Sequence, residues 1–402
     1  MGDIRRTEQV RCCCGGVTRR DLLRYAALGG GALLVGPLAA LAGAEPVTAG
    51  SGQGNSLPKA KQAMRDIVRR YASVKDDPWA MMHGVRAFGK NFMLDEGPAV
   101  DYLCSHFLEM QTVRGRSYLK MARGADGHFN ALLKTFLEAG VDPDHSFIVQ
   151  GRRRTVGDLL HSGKTLFTFD TTLSPLHDTR DEAAWSVIAF SITTPPDKAV
   201  WKNAADQEIR LHDVIATLFT AMEQGSAAYA TAMQQGIMPR ERAPITRFTC
   251  GGTHVIYSLA VAVRYGHLGE EGRRRLARIL DMLIWRMKAE TYLANQHYQA
   301  MTKTDAPAAD AHLFHLDTRL KFLGHAMEIL QYVRMFGLYT PTPAQEAEIR
   351  AATEILAAAV LEVGRADIAS FRHAVPRLYT LLIGDACHAY HGLTMTKGIN
   401  QV

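Results

Sequence analysis

The stretch C250-GGTHVIYSLAVAVRY-G266 decides how the chain is read. From His254 onward it offers Val255, Ile256, Tyr257, Leu259, Ala260, Val261, Ala262 and Val263, apolar on nearly every side of a helix. A helix of that kind has to be covered on most sides, so it belongs inside the molecule. Gly251 and Gly252 at its head each cost a helix about 1 kcal/mol relative to Ala. Either the helix starts after them, or they let a backbone or ligand approach closely. Cys250 and His254 stand four apart, one turn along one helical face. The spacing recurs at Cys387 and His391 in CHAYH, residues 387–391.

Working outward, five more segments share this character, at about 78–89, 127–140, 182–192, 318–336 and 378–393. They are short, rich in small residues, and carry only one or two polar side chains. Between them lie helices charged along half their surface, such as 270–290 and 342–363. Helical spacing runs nearly throughout. Asp77-Pro78 supplies an N-cap followed by a first-turn proline. No convincing period-two alternation is visible, and HSFIVQGRRRTV, residues 145–156, is the one place for a short hairpin. The expectation is an all-α single domain over 59–402, an inner ring of six helices inside an outer ring: an (α/α)6 toroid with little or no sheet. A right-handed stack of helical repeats is the rival. Unequal spacing and the lack of a shared consensus favour closure over stacking.

The N-terminus reads VTRRDLLRYAALGGGALLVGPLAALAGAEP. Arg19-Arg20 before Leu22-Leu23 resembles a twin-arginine export signal. An apolar run to Leu41 and the small residues Ala42-Gly43-Ala44 complete a cleavable leader, 1–44. The apolar run is shorter than the roughly 20 residues that span a bilayer. A Gly/Ser-rich linker, 45–58, follows. These features predict passage through the twin-arginine translocase to a periplasmic or secreted location, with no integral membrane anchor after cleavage. Three of the six cysteines, Cys12 to Cys14, would leave with the leader. Six arginines and three acidic residues would go too, taking the formal charge from +6 to +3. The basic clusters at 151–155 and 272–278 lack interleaved aromatics, so no nucleic-acid partner is expected.

The phrases DPWAMMHGVRAFGKNF, GHFNALLKTFLEAGV, VGDLL, EAAWSVIAFS, CGGTHVIYSLAVAVR, LGHAMEIL and CHAYHGL together resemble a secreted bacterial family of (α/α)6-toroid type, well represented in planctomycetes. Its members have no assigned activity. That resemblance implies the fold; toroids serve hydrolases, lyases, epimerases and cyclases alike, so it implies no reaction.

Polar residues on the apolar helices are the chemical candidates: His83, His128, Glu182, Cys250, His254, His325, Glu328, Cys387, His388 and His391. Two facing Cys-x3-His phrases would give a tetrahedral set suited to zinc, while soft thiolates also admit copper. Cys250, His254, Cys387, His388 and His391 are the candidate ligands. Cys387-His388 with Cys250 also resembles the zinc set of lanthionine cyclases, although their CHG phrase is CHA here and their Trp-Cys phrase is absent. A Cys250–Cys387 disulfide and two inert buried thiols are the other readings.

On the segment HLDTRLKFLGHAME, residues 315–328, Asp317, Lys321, His325 and Glu328 form one stripe. GHAME resembles the Gly-His-x-x-Glu phrase of N-acylglucosamine 2-epimerase-type isomerases, with Leu323 where that phrase has proline. The resemblance implies His325 as proton shuttle and Glu328 as its orienter, a pairing suited to acid–base work near neutral pH. An intrahelical ion-pair ladder is the plainer reading. His254 and His83 are expected as further catalytic groups, and Trp79, His128, Trp185 and Tyr257 as surfaces for a sugar or other small ligand. Phosphate-binding loops, dinucleotide fingerprints, haem-attachment motifs and serine-hydrolase elbows do not occur. Two functions follow as expectations: a carbohydrate-active hydrolase, lyase or isomerase with a histidine-rich funnel, or a metal-binding protein or metalloenzyme.

Overall fold

Asp77 does what the sequence asks of it: its carboxylate accepts the Ala80 amide at 2.9 Å and Pro78 opens the helix behind it. In the computed structural model, which describes residues 56–395 apart from 123, 126, 302, 304–307 and 375, helices carry nearly all the regular structure. The leader, Cys12 to Cys14 and most of the linker lie outside the described residues.

Six helices follow the apolar segments. They are α2 (Pro78–Phe88), α4 (Ala131–Glu138), α6 (Ala183–Thr193), α9 (Thr253–Arg264), α11 (Ala308–Met335) and α14 (Pro376–Thr394). Each packs on the next, α2 on α4, α4 on α6, α6 on α9, α9 on α11, α11 on α14, and α14 returns to α2. Others alternate with them along the chain: α1 (Ser56–Ala72), α3 (Ala99–Phe107), α5 (Val156–Leu166), α7 (Leu211–Gly225), α10 (Gly269–Met301) and α12 (Pro343–Val363). The short helices α8 (Ala227–Gln234) and α13 (Ile368–Ala374) fill two connections. Burial matches these roles. Every residue of α6 from Ala183 to Ser191 is buried, as is every residue of α9 from Thr253 to Val263. By contrast α1 buries only Ala60, Met64, Ile67, Val68 and Ala72, a stripe at helical spacing.

Local chemistry sets the ends. Thr155 and Asp158 form a capping box on α5, and Thr342 and Gln345 form one on α12. Two helices are shorter than their periodicity suggests. Asn130 takes a left-handed conformation (φ 65°), so α4 starts at Ala131 instead of near 127. The apolar run 209–233 breaks at Ser226 into α7 and α8.

Sheet is more frequent than expected. Besides the foreseen hairpin, β5 (Ser146–Val149) with β6 (Arg152–Thr155), there are β1/β2 (Met93–Leu94, Gly97–Pro98), β3/β4 (Leu108–Val113, Arg116–Met121) and β7/β8 (Val200–Lys202, Glu208–Arg210). The turns explain two of them. Arg114-Gly115 and Gln150-Gly151 both have positive φ at both residues, the geometry that matches strand twist in two-residue hairpins. In β3/β4 Leu108, Leu119 and Met121 are buried on one side, but Tyr118 is buried on the other and β3 is otherwise half-buried, which blurs the alternation a sequence reader looks for. No helix among the described residues is long and apolar enough to cross a membrane.

Candidate metal centre

Cys250 stands in the first of three successive left-handed residues: φ is 50° at Cys250, 69° at Gly251 and 81° at Gly252. Glycine accepts this conformation freely, but a cysteine there costs about 1–3 kcal/mol unless its surroundings enforce it. They do. Thr249 donates both its amide and its hydroxyl to Asp181 Oδ2, each at 2.7 Å. Arg286 Nη2, wholly buried, donates to the Gly251 carbonyl at 3.0 Å and to Glu290 Oε1 at 3.1 Å, with its guanidinium over the Phe322 ring. α9 begins only after the glycines, and the Thr253 hydroxyl donates back to the Cys250 carbonyl at 2.9 Å.

This turn brings the Cys250 sulfur to His254, one turn on, and to His325 of α11. One ligand atom from each of the three lies within 4.8 Å of the others, and all three residues are buried. The Cys250–His254–His325 group can hold a metal ion. His325 Nδ1 donates to the Lys321 carbonyl at 2.8 Å, and its Nε2, buried, has no nitrogen or oxygen partner. A backbone carbonyl on one imidazole nitrogen, with the other turned toward the ion's place, is the usual outer support of a metal-bound histidine. Donor chemistry agrees, since a thiolate with two imidazoles suits zinc or copper.

The carboxylate Glu328 is not the partner of His325. Its Oε1 accepts from Arg86 Nε at 2.7 Å and from His391 Nδ1 at 2.6 Å, and its Oε2 accepts from His388 Nδ1 at 2.9 Å. The carboxylate near His325 is instead Asp385, 4.0 Å from Nδ1, itself 4.0 Å from Lys321 Nζ, which also lies 3.5 Å from Asp317. The stripe 317–321–325–328 is therefore buried and shared with α14, so it is not a solvated ladder. Nor do the two Cys-x3-His phrases face one another. His391 is engaged with Glu328, Cys387 is fully buried, and neither joins the Cys250 group. Cys104, Cys250 and Cys387 are thiols outside any disulfide, so the Cys250–Cys387 disulfide is not formed. His388 does lie close: its ring stacks on His325 at 3.8 Å between centroids and stands 5.3 Å from those of His254 and His83.

Burial dominates the protonation of these groups. It pushes His83 down to about 3 and His254 to about 4, and holds His388 well below the usual imidazole range. These three stay neutral at neutral pH, as ligation requires. His325 is the exception: burial lowers it, but the charge and hydrogen bond of Cys250, then Asp385 and Glu328, outweigh that and raise it to about 9. Burial raises Asp385 to about 8, against the pull of Lys321. For Glu328 burial also pushes upward, and Arg86 with His388 and His391 reverses it, holding the carboxylate well below its ordinary value.

His254 is also on the wall of a cleft enclosing about 350 Å³, part of it open to solvent. Trp79 and Trp185 flank it, at the first turns of α2 and α6; His83, Arg86 and Lys134 line it further in. The cleft ends in a layer of charge. Arg86 is bonded to Glu138, Lys134 Nζ lies 2.9 Å from Glu138 Oε2, and the Arg86 guanidinium sits 4.8 Å over the Tyr257 ring. Glu138 and Tyr257 face a second cavity, shared with Arg264 and Tyr332. Trp79 and Trp185 thus both line this cleft. Tyr257 is in the other cavity, and His128 lies behind the wall, stacked on Trp185 at 3.7 Å and 3.0 Å from Glu182.

Sequence reading missed Asp385, Arg86, Lys134, Asp181 and Arg286. A signal existed for Arg86 and Lys134, each a lone cation inside an apolar helix, where burial without a partner is prohibitive. Comparison with protein-family models, with curated proteins and with solved structures finds no match to this chain.

Proposed function

We propose that the protein is an exported metalloprotein: its Arg19-Arg20 leader sends it through the twin-arginine route, its circuit of six helices is the inner ring of an (α/α)6 toroid, and Cys250, His254 and His325 hold one zinc ion at the floor of the cleft. The observation that carries this reading is the convergence of one ligand atom each from Cys250, His254 and His325, all buried and within 4.8 Å of one another, on a cysteine held in a strained left-handed turn. Three protein ligands leave a fourth position, and His254 on the cleft wall places it within reach of a small molecule. A zinc ion so placed supplies Lewis-acid activation of a water or a substrate oxygen. The chain's own residues exclude bulk water, orient the two imidazoles and keep His254 neutral, while His325 has to give up its proton to the medium when the ion binds.

Support for the acid–base carbohydrate reading is weaker, because Glu328 is committed to Arg86, His388 and His391 and does not orient His325. A second reading is favoured by the same turn: Cys250 as a nucleophile, with His254 or His325 taking its proton. Elemental analysis of untagged protein separates the two. One zinc per chain, lost in Cys250→Ser and His325→Ala, supports the metal centre. Metal-free protein whose Cys250 is alkylated rapidly by iodoacetamide supports the nucleophile and ends the metal reading. One copper per chain, with the strong visible colour of a copper–thiolate bond, would keep the ligand set and replace the metal.

A further inference from the structure

The cleft has a lopsided chemistry. No aspartate or glutamate is among the described residues that line it, whereas Arg86, Lys134 and the imidazoles of His83, His254 and His388 are. The carboxylates that balance the two cations, Glu138 and Glu328, lie behind the wall. Donors remain unspent on the cleft side. Arg86 uses Nε on Glu328 and Nη1 on Glu138, and no partner is seen for its Nη2. Lys134, a residue 3% exposed, has three N–H bonds on its ammonium, one ion-pair partner in Glu138 and the Tyr257 ring 5.8 Å away. Both cations grip the same oxygen, Glu138 Oε2, so they stand side by side. Next to them, the indole N–H of Trp79 is buried without a partner. Gly384 of α14 faces it and His83: a Cβ there would be in ordinary contact, 3.5 Å from both Trp79 Nε1 and His83 Nε2.

We infer that this cleft binds a small carboxylic acid, its carboxylate held by Arg86 Nη2 and Lys134 Nζ and its body between Trp79 and Trp185. An adjacent guanidinium and ammonium, with no carboxylate among the described residues of the wall, favour an oxyanion over a neutral sugar. Charge selects among oxyanions, and here the inference rests on the metal reading. Arg86 and Lys134 are offset by Glu138 and Glu328, so a divalent ion with one thiolate leaves a single positive charge, which a monocarboxylate neutralises and a phosphate dianion exceeds. The aromatic walls and Met82 favour a planar or apolar body over bare acetate.

Isothermal titration of the full-length mature protein, with its metal content measured in the same sample, tests this. The probes are benzoate, acetate, inorganic phosphate and methyl α-glucoside. The expected order is benzoate, acetate, then phosphate, with no heat from the glucoside. Lys134→Met is expected to weaken benzoate at least 10-fold with metal content unchanged, and Lys134→Arg to restore much of it. Tighter binding of phosphate or glucoside, binding of none of the probes, or a Lys134→Met protein that binds as the wild type would each overturn the inference. The wild-type ranking decides the matter even if the variants fail to fold. Carboxylate binding by metal-free wild-type protein would support this site and overturn the metal centre, so the two can fail separately.

Discussion

Arg86 and Glu328 lie 242 residues apart in sequence and share a buried 2.7 Å hydrogen bond, α2 to α11, across the middle of the helix circuit. Removing one member of a buried, hydrogen-bonded ion pair strands the other, which typically costs about 3–5 kcal/mol. Glu328→Gln should therefore destabilise the protein by about that much in urea unfolding, because Arg86, His388 and His391 all lean on the carboxylate. Replacing Glu328 by an uncharged amide with no loss of stability would refute a structural role and revive it as a catalytic group.

The two cysteines should behave differently. Cys250→Ser is expected to lose the metal; Cys387→Ser, whose thiol is pushed well above its usual range by burial and then by Asp385 and Glu328, should keep it. Chelation should lower the unfolding free energy of wild type and Cys387→Ser by about 2–4 kcal/mol, the linkage expected for a ligand at 100 to 1,000 times its Kd. It should leave Cys250→Ser unmoved. Loss of metal in both cysteine variants would contradict the ligand set.

The left-handed turn can be tested against itself. Cys250→Gly should be more stable than Cys250→Ala by about 1 kcal/mol, because only glycine takes φ near 50° without strain. Gly252→Ala should lose more, since its new Cβ would lie 2.9 Å from Ile245 Cγ1. Equal unfolding midpoints for the two Cys250 variants would show that the turn relaxes once the sulfur is gone.

Acid should unfold the protein early. Burial lowers His83 to about 3 and His254, His267 and His315 to about 4. Between those values and 6.5 the unfolded chain binds more protons than the folded one, so stability falls as pH drops through that window. Each such histidine contributes up to about 1.4 kcal/mol per pH unit. His325 acts with the opposite sign: raised to about 9, its contribution is present below 6.5 and is lost as pH climbs to 9. In metal-free protein, urea midpoints should peak near neutrality, and His267→Leu should flatten the acid side. A profile that stays level from pH 4.5 to 7 would rule this out.

Much of the fold was legible because apolar helices announce themselves. The six segments marked by near-continuous hydrophobicity are the six that contact one another in a circuit. The hairpins were not, because the dry face of β3 and β4 is only Leu108, Leu119 and Met121, with Tyr118 buried on the other side, and the turn rests on the backbone freedom of Gly115. The site was half legible. Cys250 and His254 belong together through helical spacing alone, whereas their third companion depended on tertiary packing. His325 and His391 both lie on apolar helices with suitable neighbours in sequence, and only the position of Arg86 decides which of them Glu328 captures. Asp385 was passed over as one polar letter in an apolar run, although its burial beside Lys321 makes it the nearest carboxylate to the centre.

The Arg86–Glu138–Lys134 layer over Tyr257 has a kinetic corollary. If, as proposed, a guest enters past the two tryptophans, that plate stands between it and the second cavity and would send it back through the mouth by which it came. Turnover would then be governed by how quickly a spent guest vacates a blind pouch, and traffic would queue at a single doorway.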